Sequence, residues 1–313
     1  MAATGAAPPL TLRIDPALAE AAVERALASG GPMGSEALAG NRRRAEPLYG
    51  VVDPAERRAA FGRFALVEFE TLGLAEPILR AIAERPTVAG RVRVALVGEA
   101  RGRHDEGITC EPRGQHLGIR IEASRFGDPG ATLAWTRHAL GHAEDTLDPA
   151  FGFEPGWDEA GRSWVVAAAQ ARLHRLWDVS VDGRLAATGH LAAEPARRRH
   201  RAAIAGDLRG VSEAAIDAVI ARLWEEPRPA FHDLLHWAAR PIALVHIAAP
   251  GEPGLPNPDR CPLCGFAGDD VFPPAASVAV LVQADYPAWR AAHGLCGRCT
   301  DRYRFAGQLG GTS

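Results

Sequence analysis

The stretch Trp135-Thr136-Arg137-His138-Ala139-Leu140-Gly141-His142-Ala143-Glu144-Asp145-Thr146-Leu147-Asp148-Pro149 holds two histidines four positions apart, followed by three acids. At about 3.6 residues per turn, His138 and His142 project from one face of a helix, one turn apart, so both imidazoles can reach the same divalent ion. Asp145 lies a further turn along that face. The start and stop signals bracket the segment. Asp128-Pro129 supplies a capping carboxylate and a proline at the first helical position, and Pro149 disfavours helical geometry at Asp148.

Upstream, the apolar period is that of strands. Val92, Val94 and Leu96 alternate with Arg91, Arg93 and Ala95, and Leu117 to Ile121 repeats the alternation. The polar run Arg101-Gly102-Arg103-His104-Asp105-Glu106-Gly107 between them is too irregular for a phosphate-binding glycine loop. Further upstream, helices are expected over Pro16 to Ala28 with Asp15 as cap, from Asp53-Pro54 to near Gly73, and over Pro77 to Glu84. The start of the chain, with Pro8-Pro9, is expected to be mobile, and Asn41-Arg42-Arg43-Arg44 to be a solvated basic loop. Downstream, a helix is expected over Asp158 to Trp177. Val179, Val181 and Asp182-Gly183-Arg184 then read as strand and turn. Further helices are expected around Ala196 to Ile204, over Ser212 to Trp224 with Ser212 as cap, and over Pro229 to Ala239. Pro250 to Pro258 reads as a linker.

The histidine segment resembles the His-Glu-x-x-His helix of the zincin metallopeptidases, with Ala139 where that family places glutamate. The order of strands followed by a histidine helix is similar to theirs as well. The resemblance implies a zinc site on this helix. It implies peptidase activity less, because a methyl group can neither polarise a metal-bound water nor carry its proton. Three third ligands stay open: Asp145 on a regular helix; Asp148, ten residues after His138, where the metzincin branch places its third ligand; and Glu159, by analogy with the other main branch. A hydrolytic base, if there is one, is sought in Glu144 or whichever of Asp145 and Asp148 is unused. The segments Leu147-Asp148-Pro149-Ala150-Phe151-Gly152-Phe153 and Leu176-Trp177-Asp178 are also similar to motifs in bacterial proteins of unassigned function, a resemblance that attaches no activity.

Four of the five cysteines form two C-x-x-C pairs, Cys261-Pro262-Leu263-Cys264 and Cys296-Gly297-Arg298-Cys299. Two tight turns, each presenting two thiolates, complete a closed tetrahedral zinc site with no position left for water. The module resembles a treble-clef or zinc-ribbon knuckle. No thioredoxin-like strand and helix pattern surrounds either pair, which disfavours redox chemistry. Cys110 reads as a small buried residue beside the strands. His232 and His236 repeat the four-residue spacing without a downstream ligand and read as an ordinary helix face.

All 35 basic residues are arginine, the net charge is -3 and 47% of residues are hydrophobic. A globular chain without the broad positive field of a dedicated nucleic-acid binder follows. Arg197-Arg198-Arg199-His200-Arg201 reads as a solvated helix face. No apolar run reaches spanning length, and paired cysteines suit a reducing compartment, so a cytoplasmic location without membrane association is expected.

These readings give an α+β chain: a helical N-terminal region over 1–88, a zincin-like domain over 89–249 with a small sheet and the histidine helix, a linker over 250–258, and a four-cysteine zinc module over 259–306. The functional expectation is a zinc-binding protein of metallopeptidase-like architecture, an inactive relative or a hydrolase with an unusual base. The alternative is an adaptor that takes a protein or peptide partner, or less readily nucleic acid, through the cysteine module. The expected metal ligands are Cys261, Cys264, Cys296, Cys299, His138, His142, Asp145 and Asp148.

Overall fold

The computed structural model describes residues 10–110, 114–155, 164–208, 211–225, 228–252, 260–267 and 271–309. The expected mobile start, Glu159 and the linker from residue 253 onward lie outside them. The chain is mixed α and β, and it divides into two units, Met1–Asp148 and Pro149–Ser313.

The first unit runs β1 (Thr11–Ile14), α1 (Pro16–Ala28), α2 (Gly31–Ala45), α3 (Pro54–Thr71), α4 (Glu76–Ala83), α5 (Pro86–Arg91), β2 (Val94–Glu99), β3 (Gly107–Cys110), β4 (His116–Ile121) and α6 (Pro129–Leu147). Its sheet has the order β1-β2-β4-β3. The first three strands in that order are mutually parallel, and β3 lies antiparallel to β4 at the edge. Helices before residue 88 and strands after it bury their apolar faces in one core, in which Leu18, Phe69, Ile78, Leu117, Ile119 and Leu140 are fully or almost fully enclosed. Cys110 ends β3 half-buried. The first and third strands escape the periodicity reading because four residues hold only two alternations. Asn41 to Arg44 is also helical, at the end of α2. Arg42 pairs there with Glu24 of α1, and Arg44 with the buried Glu68 of α3, so tertiary ion pairs hold as helix what reads locally as a basic loop.

The second unit runs α7 (Trp164–Ala187), α8 (Ala193–Asp207), α9 (Glu213–Glu225), α10 (Phe231–Ala239), α11 (Pro241–Ala248), α12 (Ala276–Asp285) and α13 (Gly297–Leu309). The helices α7 to α11 share a core whose aromatic centre is Phe151, Trp177 and Phe231, with ring centroids 5.0 and 5.6 Å apart for Phe151 against its two neighbours. Ser212 caps α9, its hydroxyl accepting from Ala215 N at 3.2 Å. The strand and turn expected at Val179 to Arg184 are instead the continuation of α7. Gly183 is there for approach, not for bending. A Cβ on it would sit 2.4 Å from the carbonyl oxygen of Trp224 on α9, so the glycine permits the two helices to cross at contact distance. The preceding Asp182 is buried and bonded to His200 of α8 at 2.7 Å, a partner that its neighbours in sequence do not reveal.

A smaller core of Cys261, Val271, Val278, Val282, Trp289, Leu295 and Cys296 organises the C-terminal end around α12 and α13. Among the described residues no helix is long and apolar enough to cross a membrane.

Candidate metal centres

The cysteine centre is assembled by two short devices. The first is a knuckle: Gly265 N donates to Cys261 O at 2.8 Å and Cys261 N donates to Phe266 O at 2.9 Å, folding Cys261 and Cys264 onto one side of a turn. The second is the start of α13, where Cys296 precedes the first turn and Cys299 lies inside it. An antiparallel bridge between Phe272 and Leu295 brings the devices together. Gly294 holds φ at 71° just before it, and a Cβ there would lie 2.9 Å from Val271 Cγ1. The left-handed backbone and the close packing both demand glycine.

The result is four sulfur atoms, all within 4.8 Å of one another. Cys264 Sγ and Cys296 Sγ stand 3.7 Å apart. Tetrahedral geometry with metal–sulfur bonds of about 2.3 Å requires neighbouring sulfurs at about 3.7 to 3.8 Å, so this pair is already at ligating separation. All five cysteines are free thiols. Burial opposes ionisation of Cys261, but the N–H groups of Cys296, Cys264 and Leu263 outweigh it and bring the thiol down to about 7. Cys299 moves the other way: burial, then the crowding of neighbouring sulfurs, pushes its thiol well up, and burial also raises Cys296. One thiolate is favoured and further ones are opposed, which is the electrostatic condition that a divalent cation relieves. The four cysteines are therefore positioned to hold a metal ion.

The histidine pair belongs to the first unit. Asp128 caps α6, its Oδ1 accepting from Gly130 N at 2.9 Å and Ala131 N at 3.1 Å. The inner face carries Thr132, Thr136, Leu140, Ala143 and Leu147, all buried. Two ion pairs fix the helix in rotation: Arg137 makes two 2.6 Å bonds to Glu84 at the end of α4, and Arg85 donates to Glu144 at 2.7 Å. At the far end Arg91 bonds the Leu147 carbonyl. With the helix so held, His138 and His142 sit half-buried with their Nε2 atoms 3.2 Å apart. Two imidazole nitrogens on one tetrahedral ion lie about 3.3 Å apart, given bonds of about 2.0 to 2.1 Å. A proton shared between the rings has much the same span.

The expected acids are arranged differently from the histidines. Asp145 is buried, 1% exposed, and Asp148 is the C-cap of α6. Within this unit, neither forms with the two imidazole nitrogens a group whose ligating atoms all lie within 4.8 Å, among the described residues. Glu144 is engaged by Arg85, and Ala139 is buried. His232 of the second histidine pair is solvated and lies 3.2 Å from Asp233. The Arg197 to Arg201 run is a helix face tied by ion pairs to Glu225, Glu194, Asp182, Glu213 and Asp217.

No protein-family model, curated protein or solved structure matches this chain.

Proposed function

We propose that this protein is a zinc-binding protein in which a closed four-thiolate site folds the C-terminal module and a zincin-like first unit carries the histidine helix without a hydrolytic base. The convergence of four sulfurs within 4.8 Å of one another carries the reading. Four thiolates in tetrahedral array suit zinc among the common divalent ions, and a closed set leaves no position for substrate. The second cysteine pair opens a helix, an arrangement that resembles a treble clef more than a ribbon. For the first unit, support comes from the antiparallel strand at the sheet edge, β3, which packs against α6, and from the 3.2 Å spacing of the imidazoles. Ala139 and the engagement of Glu144 by Arg85 argue for a non-hydrolytic member of that architecture.

Elemental analysis of the native chain and of two variants tests this. Two zinc ions per chain are expected, falling to one in the His138→Ala, His142→Ala double variant and to one in Cys261→Ser, Cys296→Ser. Full retention in the cysteine variant overturns the structural site. Turnover by metal-loaded wild type on a broad peptide panel, above a chelated control, overturns the non-hydrolytic part. One zinc in both native and histidine variant removes the zincin-like reading and leaves the second one, an adaptor, which the exposed Phe266, Val280 and Phe305 of the cysteine module favour.

A further inference from the structure

The second unit buries a cation that its neighbouring acid does not neutralise. Arg172, on α7, is 7% exposed, and a guanidinium stays ionised at neutral pH. Burial pulls its pKa below the ordinary arginine value, while Asp207 raises it and Arg175 lowers it. Its Nε donates to the carbonyl of Ala238 in α10 at 2.6 Å. Its Nη2 is buried with no acceptor. Asp207 of α8 is already engaged, because Arg175 holds both of its carboxylate oxygens at 2.7 Å. That pair is partly solvated and neutral as a unit, so the excess positive charge rests on Arg172, which makes no ion pair among the described residues.

Arg172 and Asp207 line a cavity of about 10 Å³ whose remaining lining is apolar, Ile204, Val219 and Trp237 among it. A space of that size admits a single occupant about as large as a water molecule. Pro241, the first residue of α11, also lines it, so the positive end of that helix adds to the field of the guanidinium. A water accepts from an N–H but leaves the charge uncompensated, and an uncompensated buried charge costs several kcal/mol. An anion meets both demands. The volume excludes carboxylates and phosphates and leaves a monatomic one.

We propose that this cavity is a halide site, which takes one chloride ion against the Arg172 guanidinium and completes the core shared by α7 to α11. It has no residue in common with either metal centre.

Thermal melting of the full chain in sodium chloride and in sodium gluconate of equal ionic strength tests it, together with a crystal grown in sodium bromide. Gluconate is too large for the cavity. At about 0.15 M salt and a Kd of about 10 mM, the midpoint is expected to lie about 2–4 °C higher in chloride. Arg172→Met removes the charge, and its midpoint is expected to be the same in both salts. In the bromide crystal, an anomalous peak is expected within about 3.5 Å of the Arg172 guanidinium, the range of a hydrogen-bonded contact lengthened for the larger ion. Equal midpoints for the wild type overturn the proposal, as does a chloride effect that persists in Arg172→Met. Bromide found only at exposed arginines, or a water alone in the cavity, overturns it too. Should Arg172→Met not fold, the bromide position decides by itself.

Discussion

Glu106 shows how one residue's surroundings set its contribution. It directly precedes β3, its side chain is 3% exposed, and Arg125 meets it with two bonds of 2.5 and 2.6 Å while Glu122 N donates at 3.0 Å. Burial works against the carboxylate, but these donors outweigh it and hold Glu106 below its ordinary range. A carboxyl depressed in the folded state stabilises the fold above its unfolded pKa, about 4.3, and loses that contribution as pH falls through the lower folded value. Glu106→Gln is therefore expected to cost about 1–3 kcal/mol at pH 7 and progressively less below pH of about 4, as measured by urea unfolding across pH. Legibility at this scale follows the reach of the chemistry. The four cysteines are legible because a C-x-x-C turn brings its own two ligands together, and the histidines because a helical turn does the same. The bond from His200 to Asp182, 18 residues away, and the capture of Glu144 by Arg85, 59 residues away, depend on tertiary packing that no local pattern encodes.

Among the elements, α7 and α6 make opposite cases. Gly183 lies within α7, where the helix passes Trp224 with no room for a methyl group. Gly183→Ala raises helix propensity yet is expected to destabilise by about 1–3 kcal/mol, because the clash is with backbone that has no rotamer to yield. Thermal melting followed by far-UV circular dichroism checks it, and an unchanged or raised midpoint would refute the close crossing. Asp182-Gly183 reads as a turn for the same reason that it is not one. Local sequence records that glycine is present, not whether φ or proximity requires it. In α6, by contrast, cap, first-turn proline, apolar stripe and terminal proline agree, and the helix falls where those signals place it, Pro129–Leu147. The short β1 and β3 hold their places through hydrogen bonds to β2 and β4, a cause that lies outside their own four residues each.

At the scale of the whole molecule, the buried apolar side chains among the described residues fall into three clusters, so stability is held in parts. The C-terminal core is the smallest and counts two of the cysteines among its own buried residues, so it relies most on what those sulfurs bind. Treatment with a strong zinc chelator is expected to speed amide hydrogen exchange at least tenfold across residues 260–309 and to leave residues 10–148 unchanged. Equal acceleration in both segments would contradict independent cores. The α+β composition and the presence of a cysteine module are legible from periodicity and spacing. The sharing of one core by the N-terminal helices and the sheet is not, since amphipathic faces do not name their partners. The spacing of the cysteine pairs carries a last consequence, in polymer terms. Cys264 and Cys296 are 32 residues apart, so an ion bound to both closes a loop of that length. Loop closure of this size removes about 3–4 kcal/mol of chain entropy from the unfolded ensemble in the Jacobson–Stockmayer picture, as a covalent cross-link would. Unlike a covalent link, a clasp of this kind would open to a competing ligand without breaking a bond of the chain, so the order of residues 260–267 and 271–309 is expected to follow free metal concentration.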